Sequence, residues 1–329
     1  MKNFWATLPR PFFALAPLED VTDAAFRRLI AGHGKPDVMY TEFTSADGIV
    51  LANDEGKMKL LRKFLYSEIE RPIVAQIFSS VPEHIEKVSA LIAEMGFDGV
   101  DINMGCPDRS VEKSGCGAAL IKTPALAREL IRAAKRGAPN LPVSLKTRLG
   151  YNTDELETWL PELLAEEPAA IAIHARTRKE MSEVPARWER IARAVEIRNE
   201  LKSSTLILGN GDVKDITDAR AKAAATNCDG VMLGRTIFGN PWLFANLRNL
   251  ASSSAPTPKQ RIEVLLEHLA LFDELLSDVT NYAVMKKHFK AYISGWDNAK
   301  ELRVRLMETE NSNHARTILG EQLGSLSIS

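Results

Sequence analysis

Cysteine is scarce in this 329-residue chain. Its three thiols are Cys106, Cys116 and Cys228, with no Cys-x-x-Cys pair among them. That pattern excludes a disulfide framework and a zinc ribbon, and no metal is expected. It suits a reducing, cytoplasmic setting in which one thiol does chemistry. Long apolar runs are missing too. The stretch Phe12–Leu18 is short and broken by Pro17, which makes it a poor secretion signal and too brief to cross a bilayer. It reads as a buried first strand. The next segment, PLEDVTDAAF, lacks the glycine-rich loop with which an open dinucleotide-binding sheet usually begins. Low-complexity tracts and short internal repeats are absent. Charge is almost balanced, with a formal net of −1, so a nucleic-acid partner has to be held by a local basic patch.

The chain does contain short apolar runs alternating with amphipathic helical stretches. FFALAPL, VMYTEF, PIVAQIF, GVDINMG, VSLKTRLG, AIAIHART, TLILGNGD and GVMLGRTIF have the length and the Val/Ile/Leu content of strands buried on both faces. Their number is the one a closed (β/α)₈ TIM barrel requires. Helix punctuation separates them. SSVPEHIEKVSALIAEMGF offers Ser79 or Ser80 as a cap, Pro82 at the first turn and Gly96 as the exit. KTPALARELIRAAKRGAP repeats the pattern with Thr123, Pro124 and Gly137. In DELETWLPELLAEEP, Pro161 interrupts the helical pattern. ASSSAPTPK looks like a linker, and beyond it the chain reads as helices only. RIEVLLEHLALFDELL carries a stripe of Ile262, Leu265, Leu266, Leu269 and Phe272. We therefore expect a catalytic barrel over 1–250 and an all-helical domain over 251–329, with frayed residues at GSLSIS. Nothing in the pattern demands a dimer, and a monomer is expected.

Side chains at the carboxyl ends of barrel strands line the active site. Here nearly every strand ends in a polar group: Glu42, Gln76, Asn103, Lys146 with Arg148, His174 with Arg176, Asn210-Gly211-Asp212, and Gly234-Arg235. Any one of them is unremarkable alone, since a lone histidine is more often a satisfied core residue. Each also costs stability unless it is paired or solvated, so their agreement across strands points to a site. The loops after the last two strands, GNGD and GRTIFGNPW, suit a phosphate. Glycines admit close backbone N–H groups, Arg235 adds charge, and a helix over GNPWLF would aim its N-terminus at the anion. A cofactor with one phosphate monoester fits better than a dinucleotide. Lys146 suits the electron-accepting edge of a flavin, and Gln76 its mixed donor and acceptor edge. Cys106, in Asn-Met-Gly-Cys-Pro directly after the fourth strand, is the candidate chemical thiol. Cys116 competes with it, and Cys228 reads as core.

NMGCPDRSVEKSGCGAALIKTP, VSLKTRLG, IAIHART, LILGNGDV and DGVMLGRTIFGNPWLF together resemble the tRNA-dihydrouridine synthase family. APLEDVTDAAFRRL and MYTEFTSADG look like its first two strand segments. The resemblance is close over residues 10–245 and looser beyond. It implies an FMN-bearing barrel, NADPH as reductant and a helical domain that helps to hold tRNA. It implies hydride transfer to C6 of uracil and a proton to C5 from the cysteine matching Cys106. Asn103 matches a residue that orients the base, and His174 and Arg176 match polar residues near base and flavin. Gln76 and Lys146 match flavin contacts, while Asn210, Gly211, Gly234 and Arg235 match the phosphate grip. Ala16, Pro17 and Asp212 join the expected cofactor set, and Arg148 the substrate set.

A uridine in folded RNA has to be swung out to reach a barrel mouth, and basic residues must then grip the phosphates. Lys286, Lys287, His288 and Lys290 form one basic cluster, with Lys300, Arg303 and Arg305 as another. Phe289, Tyr292 and Trp296 lie between them, and Phe289 and Trp296 are expected to pack inside. Three other readings compete. A small-molecule FMN oxidoreductase of dihydroorotate dehydrogenase or enoate reductase type would not need the basic helices. A tRNA-binding protein that had lost its chemistry would not keep the strand-end groups. A phosphate-binding isomerase or lyase barrel without flavin is the third.

Overall fold

Runs of β-branched and aliphatic residues become strands because both faces of a closed parallel sheet are buried. The computed structural model describes residues 3–245, 247 and 256–326. Its strands are β1 (Phe12–Leu15), β2 (Met39–Tyr40), β3 (Thr44–Ser45), β4 (Ile73–Phe78), β5 (Gly99–Met104), β6 (Val143–Arg148), β7 (Ala170–His174), β8 (Leu206–Asn210) and β9 (Gly230–Leu233). They pair in the order β1-β9-β8-β7-β6-β5-β4-β2, with β3 also on β4, and every pairing is parallel. Because β2 and β3 both pair with β4, they are two pieces of one barrel strand interrupted at 41–43. A parallel bridge between Ala14 and Val38 joins the first strand to the second and closes the ring. The expected (β/α)₈ architecture is therefore present.

The connecting helices meet expectation at some ends, with Pro82 and Pro124 in the first turn and Gly96 leaving at φ +79°, and depart from it at others. In α4 (Pro82–Glu94) the cap is Val81, which makes no side-chain bond. Ser79 instead accepts from the Val81 N–H at 2.8 Å, one residue before the helix, and also bonds Asp47. Thr123 does cap α6 (Pro124–Gly137) by position, but its hydroxyl turns back to the Leu120 carbonyl. Gly137 stays helical. A Cβ there would lie 2.0 Å from the Glu86 carbonyl oxygen, so glycine permits α6 to press against α4. The helix over Leu156–Leu164 runs through Pro161, the sixth of its nine residues, without ending there, and lacks the bond the proline cannot donate.

The chain divides into two compact units, one of residues 1–17, 37–64 and 71–234, the other of 18–36, 65–70 and 235–329. The boundary expected at residue 250 falls within the second of these units. The helix Ala24–Gly34 packs on the helix Pro258–Leu275, which draws an early segment into the second unit. Of the expected linker ASSSAPTPK, residues 251–255 lie outside the described residues, and Pro258 and Lys259 already belong to the helix Pro258–Leu275. The helix Pro258–Leu275 opens with a reciprocal Thr257–Gln260 capping box. Of its expected stripe, Ile262, Leu265, Leu269 and Phe272 are buried and Leu266 is half-buried. The helix Ser312–Leu326 continues through the first residues of the segment expected to fray, and 327–329 lie outside the described residues.

The core of the second unit holds two histidines. His268 stacks on Phe26 at 5.0 Å, and His288 meets it edge-on with ring centroids 4.5 Å apart. Burial pushes His288 down to about 3 and His268 well below the usual imidazole range, so both are neutral. His288 is accordingly not a cation of the basic cluster in which the sequence placed it. Phe289 is buried as expected, and Trp296 is half-buried.

The same unit contains a fully buried ion pair. Arg27 Nε donates to Glu70 Oε2 at 2.9 Å, and both side chains are 0% exposed. Arg27 also donates to the carbonyls of Thr22 and Leu65, while Glu70 accepts from the Ser67 N–H at 2.8 Å. Each partner is therefore satisfied only while the other is present. Arg27→Met should destabilise the second unit by about 3–5 kcal/mol, because it strands a buried carboxylate. Chemical denaturation of wild type and variant measures the difference, and a loss under about 1 kcal/mol would show that the pair is not structural.

Candidate active site at the carboxyl ends of the strands

Strand register decides which polar groups meet. Gln76 pairs with Asp101, Asp101 with Ser144, and Asn103 with Lys146. Arg148 pairs with His174, and His174 with Asn210. Side chains alternate along a strand, so these residues all project to one face. Their mutual hydrogen bonds identify it as the barrel interior. Gln76 Nε2 donates to Asp101 Oδ2 at 2.7 Å, and Ser144 Oγ donates to Asp101 Oδ1 at 2.6 Å. Asn103 Nδ2 donates to Gln76 Oε1 at 3.0 Å.

The loop after β5 is tied to this row. Asn103 Oδ1 accepts from the backbone N–H groups of Gly105 at 3.1 Å and Cys106 at 2.9 Å. The Cys106 carbonyl accepts from Ala118 N at 2.9 Å, which folds the distal part of the loop over the thiol. Gly117 makes that fold possible. Its φ is +60°, and a Cβ would lie 2.7 Å from the Cys106 carbonyl oxygen. The two competing thiols now differ. Cys106 is half-buried at the barrel rim, whereas Cys116 is 0% exposed, with its sulfur turned to Ser114. Cys228 is buried, as expected, and donates to the Gly230 carbonyl. Burial, and next the Asp108 carboxylate, push the Cys106 thiol above its usual value, while Lys146 and Arg148 pull it down. It is a neutral thiol near pH 7, able to donate a proton.

Lys146 is half-buried beside it. Burial, then the neighbouring Arg148 charge, push its ammonium down to about 8. Asp101 lies within electrostatic reach, yet no ion pair forms at the ammonium among the described residues. Two arginines expected to touch substrate are spent largely on the backbone. Arg148 Nε donates to the Gly105 carbonyl at 2.8 Å, and its Nη1 to those of Thr177 and Met181, each at 3.0 Å. Arg176 is buried, donates to the Val184 carbonyl and pairs with the Asp212 carboxylate. It also donates from Nη1 to His174 Nε2 at 3.2 Å, so the neutral ring carries its proton on Nδ1.

The expected phosphate grip is only partly visible. Asn210 is buried and donates to the Met232 carbonyl at 2.8 Å. Gly211 follows with φ +121°, and a Cβ there would lie 2.9 Å from Ala186 Cβ and 3.0 Å from His174 Cδ2. Ala16 and Pro17 are buried at the end of β1, with Ala16 N bonded to the Leu233 carbonyl at 2.8 Å. Gly234 is half-buried just past β9. Arg235 is exposed and opens a 3₁₀ turn, Arg235–Ile237, in the second unit. The helix expected over GNPWLF does not form. Gly239 turns at φ +66° and Pro241 supplies no N–H, so 238–245 runs as turns.

Three participants escaped the sequence reading. Asp101 and Ser144 each lie two residues before a recognised site residue, so strand alternation alone places them on the same face. The Arg178–Glu112 pair, which links the loop after β7 to the loop carrying Cys106, left no signal in local sequence.

Comparison with known proteins places this geometry in a family. The dihydrouridine synthase (Dus) family model matches residues 14–324. A probable tRNA-dihydrouridine synthase 2 of Bacillus subtilis (strain 168) is 42% identical over 322 residues, covering 97% of this chain and 96% of the relative. A probable tRNA-dihydrouridine synthase of Staphylococcus aureus (strain COL) is also 42% identical, covering 97% and 95%. Among solved structures, a 2-naphthoyl-CoA reductase complex superposes with TM-score 0.54 at 11% identity, over 71% of this chain and 49% of that one. A histamine dehydrogenase from Rhizobium sp. 4-9 gives 0.52 at 13%, over 79% and 48%. At such identities the two structures speak for the barrel fold alone. With the family model spanning nearly the whole described chain, and relatives of full length at this identity, the chain belongs to the dihydrouridine synthase family.

Proposed function

We propose that this protein is a tRNA-dihydrouridine synthase that reduces the C5–C6 double bond of a uridine in tRNA, with Cys106 as the proton donor. The observation that carries the reading is a partly exposed, neutral thiol at the rim of a barrel beside a cation, Lys146, that has no ion-pair partner among the described residues. The place of action is the cytoplasm, and the reductant is NADPH.

The donor set fits FMN. A half-buried ammonium suits a ring system that becomes anionic, an amide at Gln76 suits a mixed donor and acceptor edge, and Gly211 leaves room that a Cβ would fill. Gln76, Lys146, His174, Asn210, Gly211 and Gly234 would hold the group, with Ala16 and Pro17 beside it. Asp212 would act at its phosphate end. When bound, FMN supplies the hydride equivalent. Lys146 stabilises negative charge where it accumulates. Asn103 keeps its second amide hydrogen available for the base while its oxygen holds the Cys106 loop. Arg148 and Arg176 orient the loops that border the base. Cys106 keeps a proton at Sγ for C5, because burial disfavours its thiolate. A low-pKa thiolate would have no proton to give.

The grip on tRNA is assigned to the helical region 251–329. Lys286, Lys287, Lys290, Lys300 and Arg303 border one groove of about 530 Å³ with Val304 and Met307 in its lining, so two clusters separate in sequence form a single basic surface. Some of that charge is already engaged. Lys286 donates to the Met307 carbonyl at 2.8 Å, and Lys287 pairs with Asp20 at 2.7 Å. Lys290 and Lys300 are exposed.

Cys106→Ala should lower the rate of uridine reduction by about 10²- to 10⁴-fold, the usual worth of a general acid. Cys116→Ala should turn over nearly as wild type. Full activity in the first variant together with loss in the second would transfer the role to Cys116. Alkylation provides an independent measurement. The rate of iodoacetamide modification at Cys106 should rise with pH through a midpoint above the ordinary thiol value of about 8.5. A midpoint below that value would mean the thiolate is favoured and the donor role is wrong. For the groove, neutralising Lys286, Lys287 and Lys290 should weaken tRNA binding. It should also flatten the plot of log affinity against log salt by about 0.7–0.9 for each phosphate that is no longer neutralised. An unchanged slope would remove the groove from the footprint.

A further inference from the structure

Asp101 is fully buried inside the barrel, and neither the sequence motifs nor the proposed chemistry uses it. It stands at one end of a hydrogen-bonded ladder that crosses from β5 to β4 and back. Asp101 Oδ2 accepts from Gln76 Nε2, Gln76 Oε1 accepts from Asn103 Nδ2, and Asn103 Oδ1 accepts from the N–H groups of Gly105 and Cys106. The two ends dictate its direction. An ionised carboxylate can only accept, and backbone N–H groups can only donate. Between them each amide has one orientation that satisfies every contact. If Asp101 gains a proton, one of its oxygens becomes a donor, and Gln76 can turn its own oxygen toward it. The Gln76 NH₂ then faces Asn103, whose amide must turn as well. That second rotation sets the Asn103 NH₂ against the two backbone N–H groups, donor against donor, and the loop loses its anchor.

We propose that Asp101 is a positioning residue for Cys106: its carboxylate sets the direction of the Gln76–Asn103 ladder and thereby fixes the backbone of the loop that carries the thiol. The proposal rests on the reading of Cys106 as proton donor for its catalytic consequence, but not for its structural one.

The groups around Asp101 leave its protonation legible. Tyr40 faces it from β2, Gln76 from β4, and Ser144 and Lys146 from β6. Burial pushes Asp101 up to about 6, opposed by the bonds from Ser144 and Gln76 and by the Lys146 charge. Tyr40 is pushed well above the usual phenol value and stays neutral. Lys146 changes charge near 8, well separated. Asp101 is thus an anion at neutral pH and protonates as pH falls through about 6, so the constraint that its charge puts on the ladder is released on the acid side.

The test monitors the amide NMR signals of Gly105 and Cys106 in the purified full-length protein as pH is lowered. Both signals should shift with a midpoint near 6, in step with the Asp101 carboxyl carbon. In Gln76→Met the ladder is cut, so the carboxyl should still titrate while the Cys106 amide stays still. In Ser144→Ala the anion loses a donor, and the midpoint should move up. Asp101→Asn should lower kcat by up to about 100-fold, the cost of a slightly misplaced reacting group, with tRNA affinity unchanged and the acid limb of the pH profile gone. If Asp101→Asn does not fold, the Gln76→Met and Ser144→Ala titrations decide the matter. Amides that do not respond near pH 6 in the wild type, or that respond equally in Gln76→Met, overturn the proposal. So does wild-type kcat in Asp101→Asn at every pH. The titration needs neither RNA nor turnover, so its failure is distinct from failure of the proposed function.

Discussion

A polar side chain buried in a closed barrel is cut off from bulk water, so each such group must find a partner there or remain unpaired at a cost of about 1–3 kcal/mol. The interior row of this barrel meets that demand with one ladder. The Asp101 carboxylate receives two donors, the Gln76 and Asn103 amides pass the bonding along, and the last oxygen takes up the N–H groups of the Cys106 loop. The backbone N–H donors fix the Asn103 end, the carboxylate fixes the Gln76 end, and the loop carrying the thiol hangs on the bonds between them. Lys146 makes no ion pair among the described residues, and the Asp101 carboxylate that acts on its charge is already bonded by Ser144 and Gln76.

The loop is also held from its outer side. Arg148 joins the Gly105 carbonyl to those of Thr177 and Met181, and Arg178 joins Glu112 to the loop after β7. Guanidinium groups suit this work because their donors are fixed in a plane and never lost to deprotonation near neutral pH. Burial lowers Arg148 to about 10, which still leaves it charged. The arginines at the rim thus act mainly as struts between βα loops. A site on loops is ordinarily mobile, and these cross-links are what give it the rigidity of the strands below.

How much of the molecule is legible in the sequence depends on the range of the interaction. The apolar runs announce the strands, and polar residues at their ends announce the site, because both come from local pattern. The second strand reads as one run, and its break at 41–43 is invisible because the pairing of both halves with β4 is set by the neighbouring strand. Asp101 hides among apolar neighbours in GVDINMG, although its spacing of two from Asn103 fixes its face. The helix expected over GNPWLF rests on a likeness between a turn sequence and a helix start, and proline with a left-handed glycine prevails. His288 looks like a cation because three lysines surround it in sequence. Only packing against Phe26 and His268 makes it a neutral core residue. The early segments of the second unit are hidden for a similar reason, since Arg27 and Glu70 are far apart in the chain yet satisfy one another.

Net charge near zero argues against a nucleic-acid partner held by global attraction, and the structure shows how a local surface escapes that limit. Ion pairing neutralises much of the charge where it would otherwise accumulate. Arg128 and Arg132 both bond Glu166, and Arg193 bonds Glu157, Glu196 and Glu200. The groove in the second unit is different, because five of its cations converge with Glu308 as the sole acid in its lining. An arrangement of this kind attracts phosphates over about one Debye length, roughly 8–10 Å at ordinary salt, without making the whole protein a polycation. Its lining also exposes Val304 at 52% and Met307 at 47%. A nearly neutral chain can thus carry a basic surface, with cations gathered in one groove while Arg128, Arg132 and Arg193 elsewhere are bound to acids.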